Sequence, residues 1–326
     1  MIYFFKVDRF ASYYGEIFLI MLNIRAVIFI ILFLIFLIPT SYAWNYTGHV
    51  LIAQIAYDQL SQEKKNKADA LAETVFKQLP IVQQEKLDYQ YPTASTFAKV
   101  AILPDVWRKW NLSTIFLKFH ALPPMNLFFS LKEPTAGWHF IDTPFPSSSN
   151  CKLQDDKNVV WAINNLEKDL ASSKLDSSKA LELVFLEHYI GDIHQPLHTV
   201  TNVTNSCDGD RGGNNYCLKE NRYGKCTKNL HSLWDSAVGY LKPHENIKGL
   251  AYELETLYPI SQFQNKIDVS QANKWANENL SKMYFVYSTS QYVKPNKDYY
   301  QNGQAIAKKQ IVLAGYRLAK EINQVL

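Results

Sequence analysis

Two histidine-aspartate pairs set four residues apart, His188 with Asp192 and His231 with Asp235, are the side chains in this sequence best suited to chemistry. On a helix, residues four apart share a face, so each pair aims an imidazole nitrogen and a carboxylate oxygen at one point. Zinc accepts both kinds of donor, and a pair held by helix geometry ligates without ordering a loop. One such pair alone is more often a surface hydrogen bond. Here five of the eight histidines fall in three short windows (139, 188–198 and 231), each with an Asp within four residues of a His. Scattered structural histidines rarely cluster in this way.

The first window continues past Gly191 to His194, Pro196 and His198. Gly191 and Pro196 should end the helix, and the turn lets His198 face a second metal while Asp192, with two oxygens, bridges. Further donors are His49, Asp105 and His139. Asp105 follows Pro104 where a helical segment restarts; alone it reads as an N-cap. Beside the other motifs it is a ligand that helps deprotonate water, with Arg108 one turn on to neutralise a phosphate. His194 is assigned to holding the fold, His120 and His244 to the surface.

The elements that must position these donors are helical. Apolar periodicity predicts helices at Val50–Leu60, Gln62–Leu79, Ala94–Trp110 with a break at Pro104, Asn158–Leu170, Ser178–Gly191, Leu230–Leu241, Asn273–Tyr287 and Ala305–Val325, with no competing strand pattern. Ser177 and Ser178 read as an N-cap region. Leu122–Ser149 and Asn202–Asn229 read as loops. The expectation is an all-α, disulfide-stabilised, single compact helical domain.

The apolar run Ala26–Ile38, with Arg25 before it and Ser41-Tyr42-Ala43 after it, reads as a signal peptide over residues 1–43, with Met21 as an alternative start. Asn23 and Arg25 interrupt the alternative, a spanning anchor. Cleavage exposes Trp44, and its free α-amine with its own carbonyl can chelate a metal five residues before His49. Residues 44–326 then form the folded part. The formal net charge of +4 falls by one when Lys6, Asp8, Arg9, Glu16 and Arg25 are removed, so no global basic field exists to hold duplex DNA. Cys151, Cys207, Cys217 and Cys226 in an oxidising compartment favour two disulfides, with the pairing open.

Taken together, Trp44 and His49, Asp105 and Arg108, Trp138-His139-Phe140-Ile141-Asp142, the 188–198 window, Gly212-Gly213-Asn214 and Leu230-His231 with Trp234-Asp235 resemble the S1/P1 family of zinc-dependent single-strand nucleases. The match in order and type runs from Trp44 to Asp235; beyond it, 245–326 carries no site expectation. The resemblance implies three Zn2+: one on Asp105, His139, His188 and Asp192, one on His198, His231 and Asp235, and one on Trp44, His49 and the bridging Asp192. It implies that Phe140 and Asp142 hold a base. Gly212-Gly213-Asn214 is a turn first and a substrate contact, through Asn214, second. Two departures are the apolar segment Ile115–Phe129 and the loop Cys207–Cys226, both expected to border the cleft.

The expectation that follows is an exported, periplasmic or secreted, monomeric hydrolase: an endonuclease cleaving single-stranded DNA and RNA, acting also on mononucleotides as a 3′-nucleotidase, without stable membrane association once the leader is gone. Zinc-dependent phospholipase C shares the fold and site type, but the short Trp44–His49 spacing and Asp235, where phospholipases carry Glu, count against it. A non-catalytic, zinc-stabilised exported binding protein is the reading from another class, and it requires closed metal spheres.

Overall fold

The structure, a computed structural model, describes residues 44–146, 150–243, 246–268 and 271–326. The expected leader and His244 lie outside the described residues. Helix α1 (Tyr46–Asp58) is capped by Asn45, whose side-chain oxygen accepts from the Gly48 amide. Every residue from Thr47 to Ala56 is buried, so α1 is wrapped on all sides rather than laid on a surface. Around it come α2 (Gln62–Phe76), α3 (Ile81–Gln90), α4 (Thr96–Val100), α5 (Leu103–Trp107) and α6 (Leu112–Lys118). Then α7 (Val159–Ser172) and α8 (Asp176–Asp192) pair as a helical hairpin, α9 (Leu230–Asp235) and α10 (Ile247–Leu257) follow, and the short α11 (Gln264–Ile267), α12 (Ala272–Glu278) and α13 (Met283–Val286) lead to α14 (Lys297–Val325). The last helix lies along α1 and closes a core that runs from Trp44 to Ile322.

The all-α expectation holds. Strands are short, yet one pair serves the site: β1 (Thr143–Phe145) and β2 (Val200–Asn202) run parallel, with Thr143 opposite Val200. Because β1 starts four residues after His139 and β2 two after His198, this ladder sets two donor segments side by side. In the stretch read as a loop, β3 (Cys217–Glu220) and β4 (Cys226–Asn229) form a hairpin stapled by Cys217–Cys226, while Cys151–Cys207 joins the chain after β1 to the chain after β2.

Three helix readings need correction. The helix expected over Leu230–Leu241 stops at Asp235, because Ala237, Val238 and Gly239 adopt left-handed backbone (φ 49°, 56° and 80°). The helix expected over Asn273–Tyr287 breaks at a 3-10 turn, Asn279–Lys282. Helix α8 starts at Asp176 rather than after a serine cap: the hydroxyls of Ser177 and Ser178 donate instead to the carbonyls of His120 and Leu122. The same contacts place the middle of the Ile115–Phe129 segment. It is pinned at the N-terminal end of α8, about 15 Å by helix rise from His188.

Candidate metal centre

Every residue from Ala180 to Val200 is buried, so the polar groups at the C-terminal end of α8 must satisfy one another or a ligand. His188 donates Nδ1–H to Ala101 O (2.7 Å), which leaves its Nε2 as a lone pair. That Nε2 lies 3.1 Å from His139 Nδ1, 3.3 Å from Asp192 Oδ2 and 3.7 Å from Asp105 Oδ1. His139 Nδ1 is 2.9 Å from Asp192 Oδ2, and His49 Nε2 is 3.3 Å from the other oxygen, Asp192 Oδ1. The two oxygens of Asp192 thus face two different groups of donors. His49 arrives from α1 with its ring stacked on that of His188 (3.9 Å between centroids, 10° between planes). Glycine at 191 leaves room for this ring, since a Cβ there would stand 3.0 Å from His49 Nδ1 and press it aside.

A second group forms where α9 meets the turn at 196–198. His198 donates Nδ1–H to His139 O (2.7 Å), and His231 donates Nδ1–H to Gly212 O (2.6 Å). Their Nε2 atoms then face each other at 3.1 Å, with Asp235 Oδ1 3.5 Å from His231 Nε2. Gly212 is required behind His231: its φ is +59°, and a Cβ would fall 2.2 Å from Leu197 O.

Lone pairs and carboxylate oxygens packed at 3.1–3.7 Å repel one another unless a proton or a cation sits among them. A tetrahedral zinc with arms of ~2.0–2.1 Å holds its donors about 3.3 Å apart. The donor set fits zinc, and both oxygens of Asp105, both ring nitrogens of His49 and His139 Nε2 have no hydrogen-bond partner.

Burial keeps most of these imidazoles in the neutral, ligating form. It lowers His49 well below its usual range, lowers His198, and brings His139 down to about 4 and His231 to about 3. Burial also pulls on His188, but Asp192 and Asp105 outweigh it and raise that ring. Asp192 is pushed up by burial, yet His188 and His139 hold it well below the ordinary carboxylate value. Burial lifts Asp105 to about 7, and Asp235 well above its usual range. The positive charge of Arg108 is felt by Asp105, His139, His198, His231 and Asp235.

The remaining expected residues surround this cluster. Trp44 is fully buried, its indole N–H donating to Gly191 O (3.0 Å), and the next amide, Asn45 N–H, donates to Asp235 O (2.8 Å). The chain at 44–45 is therefore tied to the ends of both α8 and α9. Phe140 and Asp142 are half-buried on the strand side of His139, and burial raises Asp142. Asn214 closes its own turn, Nδ2 donating to Arg211 O (2.9 Å).

Sequence reasoning missed the groups that hold the turn at 193–199. Gln195 Nε2 donates to Asp235 Oδ1 (2.7 Å), joining the two windows. From α14, Arg317 Nη1 donates to His194 Nε2 (2.9 Å) and Gln310 Nε2 to His194 O (2.9 Å), while Asn279 Nδ2 donates to Ile193 O (3.0 Å) and Thr199 Oγ1 (2.9 Å). An Arg inside an apolar helical face was the one signal available for them.

A model of the S1/P1 nuclease family matches residues 44–326. The chain belongs to the S1/P1 nuclease family. Among relatives, endonuclease 4 of Arabidopsis thaliana is 28% identical over 220 residues, covering 59% of this chain and 70% of that protein. Nuclease S1 of Aspergillus oryzae is 27% identical over 221 residues (58% and 71%), and nuclease P1 of Penicillium citrinum is 24% identical over 308 residues (86% and 97%). Family membership makes the chain a nuclease, a hydrolase of the ester bonds of nucleic acid.

Proposed function

We propose that this nuclease is zinc-dependent, cleaves single-stranded DNA and RNA, removes 3′-phosphates from mononucleotides, and is exported with its leader cut before Trp44. The observation that carries the zinc reading is the convergence of bare imidazole nitrogens and carboxylate oxygens at 3.1–3.7 Å, with each Nδ1 of His188, His198 and His231 already spent on a carbonyl. Asp105, His139, His188 and Asp192 would hold one ion, His198, His231 and Asp235 a second, and His49, Asp192 and the Trp44 amine and carbonyl a third. Bound there, zinc lowers the pKa of water and offsets the charge of the phosphodiester.

The chain's own part is positioning and charge. Asp105 would face the attacking water and take its proton, Arg108 would bind a non-bridging phosphate oxygen as negative charge grows on it, and the water oxygen would displace the 3′-oxygen in line, which leaves as a hydroxyl after taking a proton from solvent. Phe140 offers a face for one base and Asp142 a carboxylate for its exocyclic amine, a contact that a paired base cannot make without leaving its duplex. Among the described residues no helix is long and apolar enough to cross a membrane.

The test is an assay of the purified exported protein on single-stranded DNA, RNA, duplex DNA and phosphatidylcholine, with metal measured on the same sample. Rapid cleavage of single strands, slow cleavage of duplex and intact lipid are expected. Equal rates on duplex, or lipid cleavage with intact strands, would overturn the reading.

A further inference from the structure

By the N-terminal end of α8, the segment from Leu117 to Ser130 exposes a run of large apolar side chains: Leu117 (77% exposed), Leu122 (63%), Met125 (79%), Phe128 (55%) and Phe129 (94%). Exposed apolar residues are common singly; five within thirteen positions are not. They are held rigidly. Phe119, Ala121 and Leu127 are buried between them, Leu122 exchanges backbone hydrogen bonds with the Ser178 hydroxyl, and Asp169 accepts from both the amide and the side chain of Asn126. Leu175, in the turn before α8, adds a further exposed side chain on this side.

Within the run itself the charge has one sign. From Val106 to Lys132 the sequence has no acidic residue but four cations, Arg108, Lys109, Lys118 and Lys132. Lys109, Lys118 and Lys132 are exposed, as is Lys174 beside Leu175. Lys118 lies over the Trp110 ring (4.7 Å), and the bond from Ser113 N to Leu131 O brings Lys132 back beside α6. Glu133 is engaged by Lys157, and Asp176 borders the far edge.

We infer that this face is a docking surface for anionic lipid membranes. Apolar side chains rimmed by lysine are what an interface of acyl chains and phosphate headgroups accepts: the first enter the boundary, the second stay with the charged headgroups. A nucleic-acid strand fits less well, because Leu117, Leu122 and Met125 offer no π face for a base. A second copy fits less well too, since a two-fold contact would set lysine rim against lysine rim. The binding is reversible and salt-sensitive, an adsorption and not an anchor, and it does not rest on the zinc reading.

The experiment is co-sedimentation of the exported protein with vesicles of phosphatidylglycerol and phosphatidylcholine, or phosphatidylcholine alone, at low and high salt. The wild type should bind the anionic vesicles at low salt and leave them at high salt. Met125→Ser with Phe129→Ser should lower partition by at least about tenfold, and Lys118→Gln with Lys132→Gln by roughly fivefold per lysine, with a flatter salt response. Both variants should keep the wild-type melting temperature and the rate on a short single strand. Vesicle binding that is absent, or equal in wild type and both variants, would overturn the proposal. So would loss of single-strand affinity in place of vesicle binding, or a wild-type dimer that the serine variant dissociates.

Discussion

Asp192 is the residue on which the donors converge, one oxygen 3.3 Å from His49 and the other 2.9 Å from His139. Asp192→Asn keeps the shape and removes the charge that two ions would share. We expect activity to vanish and more than one zinc per chain to be lost; an inactive variant holding its full zinc would contradict the bridge. The pH response follows from the same side chains. An imidazole ligates only when neutral, and burial holds His139 at about 4 and His231 at about 3. Zinc held by His198 and His231 should therefore persist as pH falls below the ordinary imidazole range, while the ion assigned to His188, whose ring is raised, should leave first. For the metal-free chain, unfolded imidazoles protonate near the ordinary ~6.5 while these two resist, so the stability they confer is present above that value and is lost as pH falls toward 4 and 3. Asp105, raised to about 7, has the opposite sign: its contribution is present below its unfolded value and is lost as pH rises to 7. Metal per chain after equilibration at each pH, with the melting temperature of metal-free protein alongside, checks both; loss of all the zinc in one step near pH ~6.5 would show imidazoles that behave as exposed ones. At this scale much was legible. His and Asp are few, their chemistry is narrow, and His49, Asp105, His139, His188 and Asp192 are gathered by the fold into one cluster.

Elements were less legible, because apolar spacing does not report backbone hand. Leu233, Trp234, Ala237, Val238 and Leu241 have helical spacing and are all buried, yet the last three reach the interior through a left-handed turn that ends α9 right after Asp235. The stretch beyond Asp235 gave no ligand signal at all, though α14 steadies the ligand turn through Arg317 and Gln310. His194 spends Nδ1–H on Ile190 O (2.7 Å), so its Nε2 accepts from Arg317, whose guanidinium also reaches Glu278 and Lys266 O. Supporting hydrogen bonds of this kind typically change metal affinity by about 10–100-fold. We expect Arg317→Met and Gln310→Met to weaken zinc at His198, His231 and Asp235 by about tenfold or more. Tyr316→Phe is the control: on the same helix, it removes only a hydrogen bond to Tyr258 O (2.9 Å). Zinc titration with a competing chelator, set beside melting temperatures, separates the cases. Equal affinity in Arg317→Met and the control, at similar stability loss, would leave α14 as packing alone.

At the scale of the whole molecule, the question is how making the chain is coupled to completing its site. All-helical architecture was readable from periodicity; the disulfide pairing was not, because four cysteines allow three pairings and only the fold brings Cys151 to Cys207 and Cys217 to Cys226. The N-terminus of the folded part links export to chemistry. Trp44 is buried against Gly191, and Asn45 is bonded to the Asp235 carbonyl, so the chain at 44–45 cannot move away from the ends of α8 and α9 without breaking both contacts. If cleavage frees the Trp44 amine, amine and carbonyl form a chelate beside His49; if any residue precedes Trp44, an amide nitrogen stands there instead, a poor ligand at neutral pH. Protein made in the cytoplasm with an initiator Met before Trp44 should fold around its other donor sets, hold about two zinc ions and cleave slowly. Exported protein should begin at Trp44, hold one ion more and cleave fast. The comparison needs the N-terminus read by mass spectrometry, zinc per chain, and the rate on single-stranded DNA for both forms, with disulfides intact in each. Equal zinc and equal rates would rule out the chelate and leave Trp44 as a buried aromatic that locks the first helix to the eighth.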